Sequence, residues 1–407
     1  MFPRDQQNGA ASKPAWWLVA FGGLMGYSFL RGIRFPNLWS YTHYLFNYEY
    51  GFMKRGLIGE VISTVGGPAA MTYEVFWVLS SLVYVANMLL LFWLGRALIR
   101  TEQPLLAGAA LVFAGSLAIV YLSHTIGYFD HIGLFVTLVA LQLRRFYVRL
   151  AFLSFAMPIV LLTHEAMLVL FFPVLFMSLL LSIDTKRRMP QFAMLGGFAA
   201  GVLALALVVG NYTLTQETAE RMYADLQTEV EVPLRKDAFE VLYRTADENT
   251  AMMQVIWAEE PVTLRFAAAV PLGLALLVFL GPMVALLRHA KQPWWVLVLA
   301  VLGALSPLLL HAIAWDAHRW NTLAVTTSFL MLYIAFATFL PTQPPRALHV
   351  PRSWCIAVLG LTLVLNLTAT IPLHNYYEVR SYPFGEHVIY FKELVRGTRS
   401  FPSIPIR

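Results

Sequence analysis

The sequence predicts an all-α polytopic membrane protein with about 11 transmembrane helices, the N-terminus inside and the C-terminus outside. Three observations carry this. Hydrophobic residues make up 58% of the 407 residues and charged residues 13%, about half the ~25% charge usual in a soluble domain. Apolar runs recur near the ~20-residue length that crosses roughly 30 Å of hydrocarbon. Lysine and arginine are dense in every second connecting segment. The same composition excludes a disordered scaffold and a disulfide-built secreted module. The only cysteine, Cys355, lies in an apolar run and has no intrachain partner.

The apolar runs fall, in order, at about 15–33, 75–95, 104–122, 128–143, 147–163, 166–183, 192–211, 263–287, 294–313, 321–340 and 353–371. Those at 128–143 and 147–163 are short, and are expected to tilt or to end inside the protein. The first follows a polar Met-Phe-Pro-Arg-Asp start and lacks a small-residue cleavage site, so it is expected to be a span rather than a removed signal. With the N-terminus inside, the inner segments are 1–14, 96–103, 144–149, 184–191, 288–293 and 341–352. They hold 14 basic and three acidic residues, which leaves 15 basic and 20 acidic outside. The formal charge of +6 is then +11 inside and −5 outside. That is a positive-inside signature, and nothing in it calls for a nucleic-acid partner.

Residues 1–371 read as a single transmembrane domain and 372–407 as an outer-face tail. The inner loops are too short to hold a domain. The mass outside the membrane lies in outer loops at about 34–74 and 212–262 and in the tail. Residues 52–64 have the pattern of an amphipathic segment lying on the membrane surface. The 212–262 loop carries 11 acidic and four basic residues, with helical patterns in TAERMYADLQTEV and DAFEVLYRTA. There is no repeat, low-complexity tract or glycine-rich phosphate loop.

Ionisable residues at membrane depth are costly and mark functional sites. Eight of the ten histidines fall on the outer half: His43, His124, His131, His164, His311, His318, His374 and His387. Four polar groups mark the outer ends of different spans: Glu49 with Lys54 and Arg55; His124 with Asp130 and His131; His164 with Glu165; and Asp316 with His318 and Arg319. Each has a structural reading as well. Asp130 suits an N-cap. His164 and Glu165 suit a buried turn. Asp316 and Arg319 suit a local ion pair. Lys54 and Arg55 suit a headgroup anchor, and the 212–262 loop suits a solvated acidic cap. Their shared side and depth is what points to a roofed outer site. His124, Asp130, His131, His164, Glu165, Asp316 and His318 are also possible metal ligands. No HExxH or HxxxH spacing is present, so the metal stays unknown. No cofactor is required by the sequence, although the carboxylates leave room for a divalent cation.

The stretch Asn47-Tyr48-Glu49-Tyr50-Gly51-Phe52-Met53-Lys54-Arg55-Gly56, with the span number and the inside N-terminus, resembles the GT-C superfamily of membrane glycosyltransferases. The His164-Glu165 pair and the Asp316-x-x-Arg319-Trp320 group are also similar to those of bacterial polysaccharide polymerases. The GT-C resemblance implies a GT-C-like fold and a polyprenyl-phosphate-linked sugar donor. In that family an acidic residue of the first outer loop is the catalytic base, which carries over to Glu49. Many members have two adjacent acids, whereas Asn47 and Tyr48 precede a single Glu49 here.

On this reading Glu49, Asp130, His131, His164, Glu165 and Asp316 are the catalytic candidates. Lys54, Arg55, His124, His318, Arg319 and Tyr50 are the substrate-binding candidates. The partners are a polyprenyl-phosphate-linked sugar, a glycan, lipid or protein acceptor, and membrane lipids. The location is the bacterial cytoplasmic (inner) membrane, with a periplasmic active face. A lipid-linked glycan transporter or flippase, a metal-dependent membrane hydrolase and a non-catalytic assembly subunit are the alternatives.

Overall fold

The computed structural model describes residues 16–67, 70–101, 103–259, 269–314, 316–339 and 352–369, the two pairs 372–373 and 377–378, and residues 392 and 396. His374, His387, Trp315 and nearly all of the expected tail lie outside the described residues.

The described chain is helical apart from a two-residue antiparallel ladder between Pro372–Leu373 and Tyr377–Glu378. In order, the helices are α1 (Trp16–Gly32), α2 (Leu38–Tyr44), α3 (Leu57–Gly66), α4 (Tyr73–Ile99), α5 (Pro104–Ala114), α6 (Leu117–His124), α7 (Asp130–Gln142), α8 (Phe146–Thr163) and α9 (Met167–Leu170). There follow α10 (Phe172–Leu180), α11 (Arg188–Asn211), α12 (Gln216–Glu229), α13 (Glu240–Tyr243), α14 (Ala246–Glu259), α15 (Ala269–His289), α16 (Trp294–Leu305), α17 (Ala317–Phe339) and α18 (Arg352–Thr368).

Among the described residues, seven helical segments are long and apolar enough to cross a membrane: α4, α5 with α6, α8, α11, α15, α16 with the turn that follows it, and α17. The remaining apolar runs form shorter elements. α1 and α18 have 17 residues each, α7 has 13, and the run at 166–183 is divided into α9 and α10. The division has a local cause. Phe171 leaves helical geometry at φ −126°, and Pro173 in the first turn of α10 supplies no backbone N–H to continue the ladder.

Two segments form the centre. Residues 104–124 have 89% of their apolar window buried, and residues 317–339 have 72%. α17 packs on α15, α16 and α6, while α1 packs on α6 and α18 on α5. The central segment is itself broken. Ser116 adopts extended geometry (ψ 159°) and starts α6. The backbone N–H of Leu117 exposed by the break donates to Asn366 Oδ1 at 3.3 Å. The Asn366 amide donates to the carbonyls of Pro271 (3.0 Å) and Thr362 (2.9 Å). Arg31, buried at the end of α1, donates to the carbonyls of Asn366 (3.0 Å) and Ala369 (2.6 Å), capping the C-terminal end of α18. The Leu117 N–H and the terminal carbonyls of α18 are thus paired within the protein, as burial away from water favours.

The α1–α6 crossing depends on Gly32, where an added Cβ would meet the Val120 carbonyl oxygen at 1.9 Å. The obstacle is backbone, so the helices must separate to relieve it. Gly32→Ala is expected to destabilise the protein by about 1–3 kcal/mol, the usual cost of overpacking. The check is a thermal melt in detergent, and an unchanged midpoint would remove this account of the crossing.

The segment between α1 and α4 is fixed to the bundle rather than draped over it. Asn37 caps α2 by accepting from Ser40 N at 2.8 Å. The Tyr41 hydroxyl donates to the Met71 carbonyl, and the Tyr73 hydroxyl to the Pro36 carbonyl. The amphipathic segment is helical at 57–66 rather than 52–64. Its apolar Val61 and Val65 are exposed one turn apart. In the second loop α12 and α14 are regular helices. The DAFEVLYRTA stretch breaks into a 3₁₀ turn (Lys236–Phe239) and the four-residue α13.

Candidate functional site

The C-terminal end of α8 and the N-terminal ends of α7 and α17 meet at one end of the bundle, and His164, Asp130 and Arg319 from them join one network. Arg319, in the first turn of α17, is its hub. Its Nε and Nη2 donate to the two carboxylate oxygens of Asp130 at 2.6 and 2.7 Å. Nη1 donates to Asp316 Oδ2 at 3.1 Å. Nη2 also lies 3.4 Å from His164 Nε2. The guanidinium sits 5.0 Å from the Tyr128 ring centre and 4.6 Å from that of Trp320, within cation–π range. Side-chain exposure is 5% for Arg319 and 2% for Asp130.

From His164 the network continues outward. His164 Nδ1 lies 3.3 Å from Glu165 Oε2. Arg55 clasps the Glu165 carboxylate, with Nε donating to Oε2 at 3.1 Å and Nη2 to Oε1 at 2.6 Å. The link between α8 and α9 produces this placement. His164 is extended (ψ 114°) at the end of α8. Its Nε2 faces Arg319 while its Nδ1 stays in contact with Glu165, whose carboxylate reaches Arg55.

The electrostatics follow from these contacts. Burial opposes the ionisation of Glu165, but the Arg55 guanidinium and the His164 imidazole outweigh it and hold the carboxyl well below its ordinary value. Burial, reinforced by Arg55, lowers the pKa of His164. Burial, with Arg55 and His164 beside it, pushes His43 well below its ordinary value. Lys54 is lowered by burial. It is 7% exposed, and its ammonium makes one long bond, to the Arg244 carbonyl at 3.5 Å. Among the described residues no other hydrogen bond serves that ammonium.

A narrow void lies between Arg55, His164 and Arg319, walled by Trp39, His43, Tyr128 and Phe129. It leaves about 10 Å³ for the centre of a water-sized sphere, room for one water.

The predicted residues divide into three groups. Asp130, His164, Glu165, Asp316, Arg319 and Arg55 join the network, with Lys54 beside it. Asp130 does not cap α7: Phe129 occupies the N-cap position, and the Asp130 carboxylate is committed to Arg319 instead. His131 faces away, toward α4. Its Nε2 lies 3.5 Å from Thr125 Oγ1, and its ring meets Tyr84 edge-on. The His124 carbonyl accepts from Arg34 at 3.0 Å, and the His318 carbonyl accepts from Thr322 at 2.8 Å.

Glu49 and Tyr50 stand apart from the network. Glu49 is exposed in a one-turn 3₁₀ helix, Tyr48–Tyr50. It lines an open cleft of about 420 Å³ with Asn47, Tyr48, Glu60 and Glu229. Tyr50 donates to Asp225 at 2.8 Å, which ties this turn to α12.

Sequence reasoning missed His43, Trp39 and Tyr128 as site residues. His43 was visible as one of the outer histidines. It has no charged neighbour in sequence, and only the fold brings it to Arg55. Among the described residues, no group of three His, Cys, Asp or Glu side chains is placed to hold a metal ion.

No family model, curated protein or solved structure matches the chain.

Proposed function

We propose that this chain is a membrane glycosyltransferase that moves a sugar from a polyprenyl-phosphate-linked donor to an acceptor hydroxyl at the outer, periplasmic face of a bacterial cytoplasmic membrane, in surface-glycan assembly. On this reading 11 segments span the membrane and the network end faces outward. The observation that carries the reading is the pairing of Lys54 and Arg55. Two adjacent cations are buried beside the network, and the ammonium is served by a single long bond. An anionic headgroup docked there would complete its coordination.

The division of labour follows from chemistry. A polyprenyl phosphate leaves without strong acid help, so the enzyme must hold the departing phosphate and deprotonate the acceptor. Arg55 and Lys54 hold the phosphate. Glu49, solvent-exposed in the other cleft, takes the acceptor proton, which requires the donor's sugar to reach from the Lys54–Arg55 phosphate site to that cleft. Asp130 is unsuited to that task because both of its oxygens are bound to Arg319. The Asp130–Arg319–Asp316 cluster acts as the frame that positions His164 and Glu165.

The transporter alternative would place substrate-binding polar groups near the membrane midplane at broken helices. The break between α5 and α6 has its freed N–H tied off by Asn366, which weighs against it.

The test uses the full-length protein in detergent. It combines mass spectrometry of copurified lipid with thin-layer detection of sugar transfer from a panel of polyprenyl-phosphate-linked sugars. Transfer of any member supports the reading. Absence of both lipid retention and transfer across the panel rejects it.

A further inference from the structure

The two arginine–carboxylate pairs of the network differ in a way that bears on how the site works. Asp130–Arg319 joins two helix ends and is sealed from solvent. Arg55–Glu165 joins two irregular segments, and the Glu165 side chain is 25% exposed. Arg55 itself is held with φ at +65°, a left-handed conformation that a non-glycine residue keeps only where its surroundings over-determine it. The clasp on Glu165 is one of the contacts that hold it there.

The segment bearing Arg55 runs from Gly51 (φ +97°) to Gly56. It is held by that clasp, by the Lys54–Arg244 bond and by the edge contact of Phe52 with Tyr212, with ring centres 5.0 Å apart. The void behind Arg55 admits no more than a water. A sugar phosphate therefore reaches Arg55 only if the clasp opens.

A carboxylate and a phosphate present the same feature to a guanidinium, two oxygens spaced for a pair of parallel N–H donors. We propose that Glu165 is an internal stand-in for the substrate's phosphate: it occupies Arg55 while the site is empty and yields that fork to an isoprenyl-linked phosphate on binding. The proposal rests on the phosphate reading of the site and deepens it. Glu165 becomes a residue that sets ligand affinity by competition, not an acid or base.

The consequence runs against the usual effect of removing a site carboxylate. An intramolecular competitor keeps the binding-competent form at a fraction of the total, and its removal raises apparent affinity by the inverse of that fraction. The test measures binding of farnesyl phosphate, and separately of inorganic phosphate, to the full-length protein in detergent by titration calorimetry. Wild type is compared with Glu165→Gln and Glu165→Asp. Glu165→Gln is expected to bind farnesyl phosphate about tenfold more tightly or better, with Glu165→Asp between the two. If Glu165→Gln does not fold, Glu165→Asp carries the test, since it keeps the charge and loosens the clasp.

A gain confined to farnesyl phosphate supports exchange with a lipid headgroup. A gain for inorganic phosphate as well supports exchange on the phosphate alone. Equal or weaker binding by the variants, with wild type binding, overturns the stand-in and leaves the phosphate reading in place. No binding of either probe by any of the proteins overturns both.

Discussion

Arg319→Ala is expected to cost about 3–5 kcal/mol of stability, the effect of stripping one partner from a buried ion pair. The change leaves the Asp130 carboxylate, 2% exposed, with both oxygens vacated. It also removes the bond to Asp316 and the cation between the Tyr128 and Trp320 rings. Loss on this scale should appear as a large drop in the melting midpoint in detergent or as failure to accumulate.

Arg319→Lys is expected to recover little of it. An ammonium does not reproduce the planar fork that reaches both Asp130 oxygens. Removing both charges, as Asp130→Leu with Arg319→Leu, should be milder than removing Arg319 alone, because the sealed Asp130 carboxylate is gone and only Asp316, 19% exposed, loses the guanidinium. A double-mutant cycle isolates that coupling. Additive effects of the two single changes would show that the pair is not the frame described.

Glu49→Gln is expected to lower sugar transfer by about 10²–10⁴-fold, the range for loss of a general base, with little change in folding. The side chain is exposed. The turn that carries it is fixed by Asn47 Oδ1, which accepts from the Glu49 backbone N–H at 3.1 Å, and by the Tyr50–Asp225 bond. Neither involves the Glu49 carboxylate. Affinity for an isoprenyl phosphate should be unchanged in this variant, because the cations lie elsewhere on the loop. A variant with normal turnover but weakened phosphate binding would make Glu49 an electrostatic neighbour rather than the base. Normal turnover with normal binding would remove it from the reaction altogether.

The all-helical, membrane-embedded class was legible because lipid-length apolar runs are strong local signals, and seven of those runs form helical segments long enough to cross a membrane among the described residues. The gathering of polar groups at shared helix ends was legible for a related reason. The groups at His164-Glu165, Asp316-x-x-Arg319 and Asp130-His131 each sit where an apolar run stops. What the sequence concealed was partnership. Asp316 is the neighbour of Arg319 along the chain, yet the bidentate partner is Asp130, 189 residues away. Arg55 meets Glu165 from 110 residues away. These choices depend on how α7, α8 and α17 are rotated about their axes, which a polar pattern one turn long does not encode. The same rotation takes His131 out of the site although it is adjacent to Asp130. It brings in His43, whose apolar and aromatic neighbours in sequence give no sign of chemistry. Glu49 was found through its resemblance-bearing loop and lies in a separate cleft, so shared membrane level did not mean shared pocket.

The Asn366 clamp sets a timetable for assembly. The break between α5 and α6 leaves the Leu117 N–H dependent on a side chain that lies 249 residues further along the chain. At roughly 5–20 residues per second of synthesis, that partner emerges about 10–50 s after Leu117 itself. Until then the most buried segment of the protein carries an unserved donor, and α1 holds in Arg31 a cation waiting for the carbonyls of the same late helix. α18 is thus the closing piece of the bundle. A chain stopped before it would hold every group of the candidate site and still be unable to close the centre on which that site is built.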